Sequence, residues 1–182
     1  RSSDLGIIIR ALAKNKMALL GLSILLVLLL AAIFADLIAP YKYAAQDLKN
    51  SFQAPNAQHL FGTDKFGRDI FSRVIFGTRI SLMVGFIAIG IALVVGSILG
   101  AIAGYYEGHI DNVIMRIMDV LMAIPNVLLA IAIVATLGTG LVNLMIALGI
   151  SAIPRFARVV RATTLTIRQE EYIEAAIASG VA

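Results

Sequence analysis

From Val120 to Pro154 no side chain carries a charge. As a single helix that run would measure roughly 50 Å at about 1.5 Å per residue, against a hydrocarbon core of about 30 Å. The chain must therefore turn back within it, and Gly138-Thr139-Gly140 is the natural place. A water-soluble fold of this size could not bury so much apolar surface. The whole chain agrees: 60% of its 182 residues are hydrophobic and 14% charged. Mean hydropathy is +0.93, whereas soluble domains are near half apolar and a quarter charged. The fold class expected is all-α, a polytopic transmembrane bundle.

The apolar runs predict four crossings. Residues 1–16 read as a cytoplasmic N-terminal tail, with Leu5, Ile8, Ile9 and Leu12 at helical spacing and Arg10, Lys14 and Lys16 toward headgroups. Residues 17–38 are the first span, too long for a signal-peptide core. Residues 39–79 form an extracytoplasmic segment punctuated by Pro55, Gly62, Gly67 and Gly77. Its later part, where Ile70, Phe71, Val74 and Ile75 mix with Arg68, Asp69, Arg73 and Arg79, predicts an interfacial helix. Residues 80–104 are the second span. In it Gly96, Gly100 and Gly104 recur every four residues, a spacing that lets helix backbones approach closely. A polar turn over 105–112 leads to a third span, 113–136, and then a fourth, 141–160. After residue 160 the chain turns polar, with Arg161, Arg168, Gln169, Glu170, Glu171 and Glu174. Four crossings put both ends on one side, and the basic tails favour the cytoplasm.

The same residues exclude several kinds of chemistry. There is no cysteine, and His59 and His109 make no metal-ligand spacing. Net charge is +4 and the isoelectric point about 9.6. Membrane topology accounts for that basicity, so nucleic acid is not expected as a partner. Gly62 through Asp69 has glycines near phosphate-loop spacing but lacks the lysine followed by serine or threonine. No catalytic set of serine, histidine and carboxylate can be assembled, and the chain is not expected to be an enzyme. Arg116 and Asp119, one helical turn apart, are a candidate intramembrane polar element, able to pair with each other or to line a pathway. Pro125 should bend the same helix. Near the end, Glu174-Ala175-Ala176, three further residues and Gly180 read as a narrow helix and a turn that can enter a partner's groove.

Together these segments resemble the C-type permease subunit of dipeptide and oligopeptide ABC importers, of the binding-protein-dependent inner membrane component family. Glu174-Ala175-Ala176-Ile177-Ala178-Ser179-Gly180 matches the family's Glu-Ala-Ala-x-x-x-Gly core. Phe61-Gly62-Thr63-Asp64, Gly67-Arg68-Asp69, Ser72-Arg73, Arg79-Ile80-Ser81-Leu82 and Arg116 to Asp119 leading to Ile124-Pro125 are similar to its peptide branch. The resemblance implies a homologous second permease, two cytoplasmic ATPase subunits and an extracytoplasmic solute-binding protein as partners. ATP and magnesium would sit on the ATPases, with no cofactor in this chain. It implies a multi-pass place in the inner or plasma membrane with a cytoplasmic N-terminus. Residues 161–182 would be the coupling loop, with Glu174, Ala175 and Ala176 as docking helix and Gly180 as turn. The family motif runs on beyond Gly180 into further spans, so the expectation is a bundle truncated after about four spans, its coupling loop incomplete. A passive or ion-coupled carrier without an ATPase is the alternative.

Overall fold

The chain is described here by a computed structural model, which covers residues 15–173 and residue 179. Asn15 starts the first described helix: its side-chain oxygen accepts hydrogen bonds from the Met17 and Ala18 amides at 3.1 and 3.2 Å, satisfying two of the donors that a helix start leaves open. That helix, α1 (Lys16–Ile33), is followed after Phe34 by the short α2 (Ala35–Ile38). A 3-10 turn, Leu48–Asn50, lies in the loop beyond. Then come α3 (Ile70–Tyr106), α4 (Gly108–Ala123), α5 (Asn126–Leu137) and α6 (Leu141–Arg168). Among the described residues the only pairing of extended backbone is an isolated bridge between Thr63 and Asp69.

Among the described residues three helices, α1, α3 and α6, are long and apolar enough to cross a membrane, and α4 with α5 passes the same test as one broken pair. Leucines cover α1 on every side and only Ala32 is buried. A helix apolar all round expects lipid or other protein about it.

The chain divides into two compact units, residues 1–83 and 84–182. In the second, Ala92, Met118, Ile153 and Ala157 form a core, with Leu99, Ile114 and Phe156 against it. Two of these four are alanines, which allows the close helix approach on which packing in lipid depends.

Several boundaries differ from those read in the sequence. The interfacial helix before residue 80 and the span after it are one helix of 37 residues, about 55 Å long. Its polar first turns mark where apolar surroundings begin, and nothing there breaks a helix: Gly77 is tolerated and Thr78 bonds back to the Val74 carbonyl at 3.0 Å. The expected third span, 113–136, is two helices meeting at 93°. Pro125 forces its predecessor out of helical backbone, and Ile124 is extended (φ −95°, ψ 128°). Helix α6 runs on past residue 160 to Arg168, where Arg161 is held by Asp111 of α4 and Arg168 by Glu107 just before it. The reversal falls at 138–140, where Asn143 donates to the Leu137 and Gly138 carbonyls at 2.8 and 3.0 Å and closes the end of α5.

Candidate functional site

In the C-terminal unit, three arginines of α6 hold three carboxylates: Glu107 just before α4, Asp111 in its first turn and Asp119 toward its end. Arg161 donates through Nε and Nη2 to both oxygens of Asp111, at 2.5 Å each. Arg158 Nη2 donates to Asp119 Oδ1 at 2.7 Å. Arg168 Nη1 lies 3.1 Å from Glu107 Oε1 and donates to the Tyr105 carbonyl at 2.6 Å. As the arginine advances from 158 to 161 to 168, the acid retreats from 119 to 111 to 107. That is the signature of antiparallel helices in register. The central pair differs from the others: the Asp111 side chain is 11% exposed, whereas those of Asp119 and Arg158 are 54% and 51% exposed. A two-pronged guanidinium–carboxylate bond fixes orientation as well as distance. It therefore sets where the chain beyond Arg168 leaves the bundle.

Glu107, between α3 and α4, sits at φ 49°, a left-handed backbone that costs a non-glycine residue about 1 kcal/mol or more. The bond to Arg168 helps hold it there.

Along the other side of α6 lies α3. A Cβ at Gly96 would stand 2.7 Å from Phe156 Cβ, and one at Gly104 2.8 Å from Thr164 Cβ. At Gly100 it would overlap the Ala157 carbonyl oxygen and lie 3.0 Å from the Arg161 amide nitrogen. At these three places the backbones of α3 and α6 are as near as glycine allows.

In the N-terminal unit, the loop from residue 39 to residue 69 closes on itself around two carboxylates. Asp64 accepts hydrogen bonds from the Phe66 and Arg68 amides at 2.8 and 3.0 Å, from Arg68 Nε at 2.7 Å and from Arg73 Nη1 at 3.2 Å. Asp69 meets His59 Nδ1 at 3.0 Å and the Ser72 amide at 2.7 Å. The Ser72 hydroxyl in turn accepts from the Tyr41 amide at 3.2 Å, and Tyr41 stacks on His59. Gly67, at φ 68°, lies against the Asp47 carbonyl with no room for a side chain. Arg79 clips this unit to the end of α1: it donates to the Ala32 carbonyl at 2.8 Å and the Ile33 carbonyl at 3.2 Å, and pairs with Asp36 at 3.0 Å. A cation at the carbonyl end of a helix is favourable.

Partial burial alone would raise the Asp64 carboxyl, but the bonds from Arg68 and Phe66 outweigh it and hold the group at about 2 against the usual 3.8. Burial also opposes ionisation of Asp69, and the bonds from Ser72 and His59 overcome it, leaving that carboxyl below its ordinary range. Both groups titrate lower in the folded loop than in an open one. Their stabilisation is thus complete above about pH 4 and is lost as pH falls toward 2. Amide hydrogen exchange over residues 50–69 should be flat from pH 7 to pH 5, after correction for intrinsic rates, and should rise below pH 4. Asp64→Asn should exchange faster already at neutral pH. An acid response unchanged by Asp64→Asn would remove this carboxylate from the explanation.

Of the residues singled out in the sequence, Gly96, Gly100 and Gly104 come together against α6, and Pro125 stands at the break between α4 and α5. Arg116 and Asp119 are not brought together: the local pair read from their spacing is replaced by Asp119 with Arg158 across the helix interface. Glu174, Ala175, Ala176 and Gly180 lie outside the described residues. Sequence reasoning missed the pairing of Asp111, Asp119 and Glu107 with Arg161, Arg158 and Arg168. The signal was present in the opposed order of acids and bases, once the two helices are known to be antiparallel.

These features define a polytopic helical membrane protein in which α6 is locked by charge to α4. Two family profiles match the chain. Residues 96–182 match the binding-protein-dependent transport system inner membrane component, and residues 3–55 match the N-terminal TM domain of oligopeptide transport permease C. The dipeptide transport system permease protein of Alkalihalophilus pseudofirmus is 50% identical over 172 residues, covering 94% of this chain and 57% of that one. The glutathione transport system permease proteins of Pectobacterium atrosepticum and Escherichia coli are each 47% identical, over 88% and 94% of this chain and 53% and 57% of their own lengths. The chain belongs to the family of binding-protein-dependent transport inner membrane components. It spans just over half the length of the curated relatives it matches.

Proposed function

We propose that this chain is the membrane permease of an ATP-binding-cassette importer for dipeptides, glutathione-like peptides or related small solutes, and that it performs no catalysis itself. In this reading it forms half of the pathway with a homologous second permease. Two ATPases on the cytoplasmic side and an extracytoplasmic binding protein complete the assembly. Both tails face the cytoplasm, and the protein lies in the inner or plasma membrane.

The observation that carries this reading is the family match over residues 96–182. It contains the whole of the α4–α6 ladder and ends in the Glu174 to Gly180 motif. The ladder fixes the chain ahead of that motif: Arg168, six residues before Glu174 in the sequence, is tied to Glu107. A push on the docking segment is then transmitted along α6 and not absorbed by a loose joint. In the assembled importer, Glu174→Lys and Gly180→Pro should each lower co-purification of the ATPases and ATP-driven uptake by about tenfold or more, the loss expected of an interface hot spot. ATPases that stay bound in both variants would remove the coupling role, and gradient-driven uptake without ATP would favour an ion-coupled carrier.

A further inference from the structure

The exposed Arg158–Asp119 pair stands in surroundings that its charge does not suit. Arg155 comes fourteen residues after Leu141, about 21 Å along α6, and Arg158 about 25 Å, both within a hydrocarbon thickness of about 30 Å. Asp119 lies two turns beyond Asp111, about 12 Å further along α4. A long arginine can bend its charge back to the headgroups, but a carboxylate on a single methylene cannot climb two turns. An ionised group left in lipid costs about 2.5 to 3.5 kcal/mol even on the gentler scales. The face that shows Asp119 therefore meets water or protein.

That face carries excess positive charge. Arg116 is one turn from Asp119 on α4, and Arg155 is one turn from Arg158 on α6. Both are exposed, and neither makes an ion pair among the described residues. Because the helices are antiparallel, Arg116 and Arg155 lie on opposite sides of the central pair, each displaced by about 4.5 Å along the axes. Alongside one carboxylate, already paired with Arg158, the two helices thus carry two further guanidiniums.

Resting on the permease reading above, we propose that this face lines the solute pathway and that Arg116 and Arg155, flanking the Arg158–Asp119 pair, form a subsite for the carboxylate of the passing solute. A guanidinium with a free donor edge binds a carboxylate in two-pronged fashion. Asp119 keeps Arg158 occupied, so the anion is offered only the flanking arginines. That moderates its hold, as release from a pathway requires.

The chain contains no cysteine, so Ala162→Cys, exposed one turn beyond Arg158, supplies its only thiol. In the assembled importer in proteoliposomes, that thiol should react with an anionic thiosulfonate reagent about tenfold faster, relative to free thiol, than with a neutral reagent of the same size, as expected for nearby uncompensated cations. Arg116→Gln with Arg155→Gln should abolish the preference, and lysine at both positions should keep it. A saturating carboxylate-bearing peptide should slow labelling more than its amide does. An unreactive Ala162→Cys would mean that the face is covered by protein or lipid, and a preference untouched by the glutamine variants would mean that these arginines do not set the potential; either overturns the subsite. ATP-driven uptake by the unaltered importer separates the two levels. If uptake is present and the charge preference absent, only the subsite fails; if uptake is absent, the permease reading fails and the subsite with it.

Discussion

Asp111→Ala should destabilise the helical bundle by about 3 kcal/mol or more, whereas Asp111→Leu combined with Arg161→Met should recover most of that loss. The asymmetry follows from what each change leaves behind. Arg161 gives the two donors of its Nε–Nη2 edge to Asp111 at 2.5 Å, in a site where the Asp111 side chain is 11% exposed. Removing the carboxylate leaves a guanidinium that cannot be deprotonated and, among the described residues, has no other bonded acid. Removing both charges takes away the attraction together with the desolvation penalty, and apolar side chains fill the space. Asp119→Ala is the comparison within the same ladder. Its partner Arg158 is half exposed, so the expected loss is about 1 kcal/mol or less. Denaturant or thermal unfolding of the purified protein in lipid nanodiscs gives all three values. If Asp111→Ala and Asp119→Ala proved equally mild, the central pair would not be the fastening that holds α6 to α4.

The number of apolar runs is readable from the sequence because the 30 Å scale of a bilayer core and a run of uncharged residues leave few arrangements open. Where helices begin and end is much less readable. Arg73 and Arg79 suggest an interfacial segment that ends before the membrane, yet charge tells where polar surroundings are and not where backbone hydrogen bonding stops, so α3 passes straight through. Pro125 announced a bend but not its size: proline removes one donor and restricts Ile124, and the 93° angle is set by how α5 then packs on α6. The polar loop has no period at all. The Phe61 to Arg73 motif was recognisable as a family mark, but its physical task was not. Asp64 and Asp69 work with Arg68, Arg73, His59 and Ser72, and the fit at Gly67 depends on Asp47 twenty residues away. Arg116 and Asp119 show the same limit. Spacing proposes a neighbour on the same helix, and a tertiary contact with Arg158 replaces it. The docking role proposed for Glu174 to Ala176 and Gly180 rests on the sequence motif alone.

The glycines of α3 give the second large effect, with a control in the same helix. Gly100→Ala should destabilise the protein by about 3 kcal/mol and Gly100→Leu by more, the upper part of the range for forcing atoms into a packed core. The obstacle at Gly100 is backbone: the Ala157 carbonyl oxygen and the Arg161 amide, which cannot rotate away as a side-chain tip can. The only relief is to move α3 off α6, and that displacement is felt one turn on, where Arg161 holds Asp111. Gly104→Ala should cost less, since its nearest neighbour is the Thr164 side chain at 2.8 Å, although the Arg161 carbonyl at 3.0 Å limits relaxation. Gly90→Ala should be neutral or slightly stabilising, because nothing lies within 4 Å of the added methyl group and alanine is the better helix former by about 1 kcal/mol. The spread between Gly90 and Gly100 separates helix propensity, which treats the two alike, from close packing, which does not. Unfolding measurements on the two alanine variants decide between them: equal stabilities would mean that α3 and α6 do not approach as closely as their backbones are placed here.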